Sequence, residues 1–146
     1  MTAEEVVRLF FEKVRSGREL GDAQKYMAPR VLAHQMTAEQ EVTVERTPDD
    51  YADHVREMQE AFGTFELDIQ ELIAQGNKVY VRWKQRGTHV GETDGFAPTG
   101  LPVIEIASAV YRVEEERIAE YWIQIDRTGI RSQLESQARA SVKSVD

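Results

Sequence analysis

The chain has 146 residues, no cysteine and a formal net charge of −8 at pH 7. That length predicts one domain, able to bury roughly 70% of its unfolded surface. The absence of cysteine excludes disulfides, thiolate nucleophiles and thiolate zinc sites. The acidic balance argues against nucleic acid or an anionic membrane as partner, because both require clustered cations. The first residues, Met1-Thr2-Ala3-Glu4-Glu5, are acidic and lead into no long apolar run, so no signal peptide or membrane span is expected and a cytoplasmic location is.

Thr2 followed by Glu5 has the form of a capping box. Val6, Val7, Phe10, Phe11 and Val14 then recur at helical spacing until Gly17. A short second helix is expected from about Leu20 to Met27, ending before Pro29, and a short strand from Val31 to Met36 with His34 inside it. Thr47-Pro48-Asp49-Asp50 is a helix start: Thr47 caps, Pro48 suits the first helical position, and the acids suit the positive end of the dipole. Tyr51, Val55, Met58 and Phe62 form its apolar stripe, and Gly63 ends it.

From Phe65 the period changes to two. Phe65 to Ala74, Lys78 to Val90, Leu101 to Val113 and Arg117 to Ile125 read as four long strands. Gln75-Gly76-Asn77 and Glu114-Glu115-Glu116 are tight turns, whereas residues 91–100 form a longer loop. A last helix is expected from about Thr128 to Ser136 with Ile130 and Leu134 facing inward, followed by a polar tail over 137–146 that frays. Residues 1–136 thus read as a single α+β domain, with helices covering one face of a curved sheet and a cavity between the layers.

Alternation places Trp122, Gln124 and Asp126 on one face of the last strand. With Glu115 and Glu116 as the central turn residues, Ala109 pairs with Trp122, Ala107 with Gln124, and Glu105 with Asp126, unless a bulge intervenes. Ile104, Ile106 and Val110 then share the other face with Tyr121, Ile123 and Ile125. Two facing carboxylates would hold one proton tightly and suit acid–base chemistry. Pairing of one acid with Arg86, Arg127 or Arg131, or use of Asp126 as a helix cap, explains the same pattern without chemistry. Trp83 and Trp122 suit either core packing or a pocket wall. His34 and His89 suit either a substrate contact or a structural hydrogen bond. His54, three residues after Tyr51, stands at the edge of the apolar stripe. The three histidines lie in separate segments with no His-x-x-x-His pair, so no metal site is expected.

Together, Val81-Arg82-Trp83, Gly87-Thr88-His89-Val90-Gly91-Glu92, Pro98-Thr99-Gly100, Tyr111-Arg112-Val113 and Trp122-x-x-x-Asp126-x-x-Gly129-x-x-x-Gln133-Leu134 resemble the SnoaL-like polyketide cyclase family of the nuclear-transport-factor-2-like, or cystatin-like, superfamily. The resemblance implies a cone of bent mixed sheet wrapped around N-terminal helices, with a pocket inside. It implies a cofactor-independent cyclase or isomerase acting on a small, largely apolar carbonyl compound. Asp126 would be the general acid/base, and His34, His89 and Glu105 polar helpers. Trp83, Trp122, Tyr51, Met58, Phe62, Gln124 and His54 would shape the pocket. A homodimer or homotetramer is expected. Two rival readings go with it. One is an epoxide-hydrolase-like enzyme, in which Arg82, Arg86 or Arg112 bridges Glu105 and Asp126. The other is a non-catalytic binding or assembly module that uses exposed apolar sheet residues such as Ile104, Ile106, Val110 and Ile123.

Overall fold

The computed structural model describes residues 1–145. Asp146, the last residue of the expected tail, lies outside them. Helix α1 (Ala3–Phe10) is capped by Thr2, whose side chain accepts from the Glu5 amide, and continues as a π-helical turn over Phe11–Arg15. A 3₁₀ turn (Leu20–Asp22) leads into the short α2 (Ala23–Tyr26). Strands β1 (Met27–Gln35) and β2 (Val42–Arg46) precede α3 (Pro48–Phe62). Strands β3 (Glu66–Gln75), β4 (Lys78–Thr88), β5 (Pro102–Glu114) and β6 (Arg117–Ile125) follow, and α4 (Arg127–Val145) closes the chain.

The strands form one six-stranded sheet in the order β2-β1-β6-β5-β4-β3. β1 runs parallel to β6, and every other neighbouring pair is antiparallel. This α+β, cone-like architecture is the one expected. One face of the sheet packs on α1 and α3 through Val31, Ala33, Val81, Trp83, Ala109 and Tyr111, all at most 3% exposed. From the helices come Val7, Phe10, Phe11 and Val55, also buried. Phe10 and Phe11 both lie against Tyr111, and Phe11 against Trp83, with ring centroids 5.1–5.6 Å apart. Among the described residues no helix is long and apolar enough to cross a membrane.

Four boundaries differ from expectation. β1 starts at Met27 instead of Val31, and β2 was not anticipated: its five residues pair with β1 from Val31↔Arg46 to Gln35↔Val42. β4 stops at Thr88 instead of Val90, and the 91–100 loop that follows is a loop as expected, with one isolated bridge, Thr93↔Phe96. α4 runs to Val145, well past Ser136. Gln137 fastens that extension, donating to the Pro102 carbonyl at 2.6 Å and accepting from the Thr99 hydroxyl at 3.3 Å.

The fifth difference decides the site. The turn at Glu115-Glu116 forms as expected: both residues take positive φ, 50° and 63°, and Glu114 pairs with Arg117. Val113 pairs with Ile118, but the next partners are Arg112 and Glu120, leaving Ala119 unpaired as a bulge on β6. One extra residue reverses the side-chain parity of everything beyond it. Tyr111 therefore faces Tyr121, Ala109 faces Ile123, and Ala107 faces Ile125.

Candidate functional site

The shifted register turns Tyr121, Ile123 and Ile125 inward and leaves Trp122 and Gln124 on the outer face. The inner face and α3 enclose a cavity of about 430 Å³. Its apolar wall comes from Ala33, Met58, Phe62, Val103, Ile123 and Ile125. Three phenols, Tyr51, Tyr111 and Tyr121, also line it. Burial holds all three phenol pKa values above the usual tyrosine range, so they remain hydroxyl donors. None of these hydroxyls donates to a described residue.

The charged group within this wall is an Arg15–Gln85–Glu105 cluster. Arg15 ends the π-helical turn, eight residues after Val7 and four after Phe11, so it lies in phase with the buried stripe and is only 4% exposed. One guanidinium nitrogen, Nη2, donates to Gln85 Oε1 at 2.7 Å and to Glu105 Oε2 at 3.3 Å. The cation also lies over the rings of Phe65 and Trp83, 5.4 and 5.7 Å from their centroids. Gln85 and Glu105 are cross-strand partners on β4 and β5, which brings both to Arg15. A charge this deep needs such partners, because desolvation without them costs several kcal/mol, on the order of the whole domain's stability.

His54, Arg46, Gln35, Arg127 and Asp94 complete the polar lining. Burial, reinforced by the nearby Arg46 and Arg15, lowers the His54 pKa below its ordinary 6.5. Arg127 donates to Gln35 Oε1 at 2.9 Å. Asp94 sits on the exposed 91–100 loop at positive φ. Among the described residues, no cluster of acids and histidines has the makings of a metal site.

Five of the anticipated residues line the cavity: Tyr51, His54, Met58, Phe62 and Glu105. The others stand elsewhere. Asp126 does not face Glu105. It follows the last residue of β6 and folds back as the cap of α4, its Oδ1 accepting from the Gly129 amide at 2.9 Å. Gly129 permits this, since a Cβ there would lie 2.2 Å from Asp126 Oδ2. Trp122 and His34 stack on the outer face, centroids 5.3 Å apart. There His34 Nε2 meets Glu120 Oε2 at 2.6 Å, and Arg112 holds the other oxygen of Glu120. Burial alone would raise the Glu120 pKa, but His34 and Arg112 together hold it below the ordinary carboxylate value. Gln124 is exposed. Trp83 is fully buried beneath Arg15 without reaching the cavity. His89 is 1% exposed and neither ring nitrogen has a partner, yet it also lies off the cavity wall.

The arginine bridge between two acids is likewise not formed. Arg82 pairs with Glu71, Arg112 pairs with Glu114 and Glu120, Arg86 is exposed, and none of the three lines the cavity. The parity of Gln85 with Val81 and Trp83, and the helical phase of Arg15, were the signals that would have found the actual cluster.

A bent mixed sheet closed over helices, with a lined cavity between them, defines an α+β cone. The chain belongs to the SnoaL-like polyketide cyclase family, whose model matches residues 5–134. It is similar to a candidate polyketide cyclase from Acidithiobacillus ferrooxidans, with 28% identity and a TM-score of 0.80 over 92% of this chain and 95% of that one. Two further likenesses are in fold. IdmH, a candidate polyketide cyclase from Streptomyces antibioticus, is 24% identical with a TM-score of 0.78, over 92% of this chain and 99% of that one. An epoxide hydrolase of the LEH-like type from M. tuberculosis is 17% identical with a TM-score of 0.67, over 97% and 96%. No curated protein matches the chain.

Proposed function

We propose that the protein is a cofactor-independent cyclase or isomerase in which Glu105, not Asp126, handles the proton. The observation that carries this reading is the Glu105 carboxylate on the cavity wall, 14% exposed and 3.3 Å from the buried Arg15. A carbonyl compound fits walls that are mostly aliphatic and aromatic. Glu105 takes the proton from a carbon between two carbonyls. The electron pair moves onto the carbonyl oxygen, and the phenols of Tyr51 and Tyr111 and the Arg15 guanidinium stabilise the resulting enolate. The carbanionic carbon then attacks a third, more remote carbonyl of the same molecule, and the proton on Glu105 passes to the new alkoxide. Without that remote carbonyl, return of the proton to another carbon of the delocalised enolate gives isomerisation.

Arg15 holds Glu105 in place, and the apolar walls exclude bulk water, which strengthens that contact. The resemblance to the family suggested Asp126 for this role, but its carboxylate would first have to release the α4 amide. Comparing Glu105→Gln with Asp126→Asn separates the two, because asparagine caps a helix about as well as aspartate. Exchange of activated C–H protons for deuterium, followed by NMR across a panel of aryl ketones and β-keto esters, reads proton abstraction directly. Glu105→Gln is expected to lose 10²–10⁴-fold of the exchange rate, on the order of a general-base contribution, while Asp126→Asn retains it. The opposite pattern would return the acid/base role to Asp126.

A further inference from the structure

The cavity carries more positive charge than it can neutralise. Three arginines line it, Arg15, Arg46 and Arg127, against two carboxylates, Glu105 and Asp94, in a chain whose net charge is −8. Arg15 is paired with Glu105 and Gln85 through Nη2 alone, its Nη1 being buried without an acceptor, and Arg127 is held by the neutral amide of Gln35. Arg46 is different. It ends β2 at the cavity wall, it is half-buried, and its Nε–H is buried with no acceptor. Its guanidinium has no hydrogen bond or ion pair with any described residue. An arginine in that position loses hydration and gains no hydrogen bond in return; the charge of Asp50 on α3 is felt there only at a distance.

We infer that the substrate carries a carboxylate, and that Arg46 receives it while the reacting carbon lies at Glu105. A guanidinium matches a carboxylate in charge and geometry, with two parallel N–H donors. The carboxylate would supply the acceptor that Arg46 lacks and balance the surplus cation of the cavity. The positive field is felt by other groups there: besides burial, Arg46 and Arg15 both push the His54 pKa down. Glu105 and Asp94 disfavour an anion near themselves, which directs the carboxylate to the Arg46 side. The substrate class is thus narrowed from a neutral apolar carbonyl compound to a keto acid whose apolar body fills the rest of the cavity.

This inference rests on the cavity being the substrate site, but it is read by binding and not by turnover. The probes are 6-acetyl-2-naphthoate and its methyl ester, titrated calorimetrically into the wild-type protein, Arg46→Gln and Arg46→Lys. The wild type is expected to bind the acid about tenfold or more tightly than the ester, as a charge-assisted hydrogen bond supplies. Arg46→Gln should abolish that preference, and Arg46→Lys should keep part of it. An ester bound as tightly as the acid by the wild type would overturn the inference. So would a preference for the acid that survives Arg46→Gln in a variant with wild-type circular dichroism. If the acid is preferred but Glu105→Gln exchanges protons at the wild-type rate, the mechanism proposed above fails and the anion site stands. If the preference is absent while Glu105→Gln is inactive, the mechanism stands and the anion site fails.

Discussion

At the scale of single residues, Arg15 carries the largest structural load. It joins the first helix to β4 and β5 through charge, amide and ring contacts at once. Arg15→Met would leave the Glu105 carboxylate without its cation, so a loss of about 3 kcal/mol is expected in urea unfolding at pH 7. His54 adds a pH dependence. Its folded-state pKa lies below 6.5, so the unfolded chain takes the proton first as the pH falls. The stability that His54 contributes is complete above pH 6.5 and is lost as the pH drops through the lower folded value. His54→Gln should flatten that part of the stability profile between pH 7.5 and 5.5. Arg46→Gln should raise the His54 pKa toward its ordinary value, as an NMR titration of the ring protons would register.

At the scale of elements, close backbone approaches position the cavity mouth. The chain after β4 docks on the end of α3, where the amides of Val90 and Gly91 both donate to the Ala61 carbonyl at 3.0 and 3.1 Å. A Cβ on Gly91 would come within 2.3 Å of the Glu60 carbonyl oxygen, a backbone atom that cannot swing aside. Gly91→Ala is therefore expected to cost about 2 kcal/mol and lower the melting temperature by several degrees in calorimetry. The helices and long strands were legible because their periods, 3.6 and 2, are written in Val6 to Val14 and in Lys78 to Ile125. The two-residue turn at Glu115-Glu116 was legible from strand spacing even though its residues are not the usual ones. The bulge at Ala119 was not, because nothing about a small residue between Ile118 and Glu120 announces that it goes unpaired. That single residue moved Trp122 and Gln124 out and Tyr121, Ile123 and Ile125 in, and it removed the pairing of Glu105 with Asp126, so the misplaced residues of the last strand share one cause.

At the scale of the whole molecule, the fold follows from the order of elements: helices first, then a run of antiparallel strands, with β1 inserted parallel to β6. The cavity lies where Val103, Glu105 and Tyr111 of β5 and Tyr121, Ile123 and Ile125 of β6 face α3. Its chemistry is less legible, because it depends on a residue from the first helix, Arg15, meeting residues 70 and 90 positions later. The position that family resemblance marks most strongly, Asp126, here holds the start of α4. Asp126→Ala should accordingly cost about 1 kcal/mol in chemical denaturation, and Asp126→Asn far less.

The most direct test of this account is the deuterium-exchange rate of Glu105→Gln beside that of Asp126→Asn, measured with one exchanging carbonyl compound and both variants verified as folded. The account predicts a loss of two to four orders of magnitude for Glu105→Gln and near wild-type exchange for Asp126→Asn. Undiminished exchange in Glu105→Gln would contradict it.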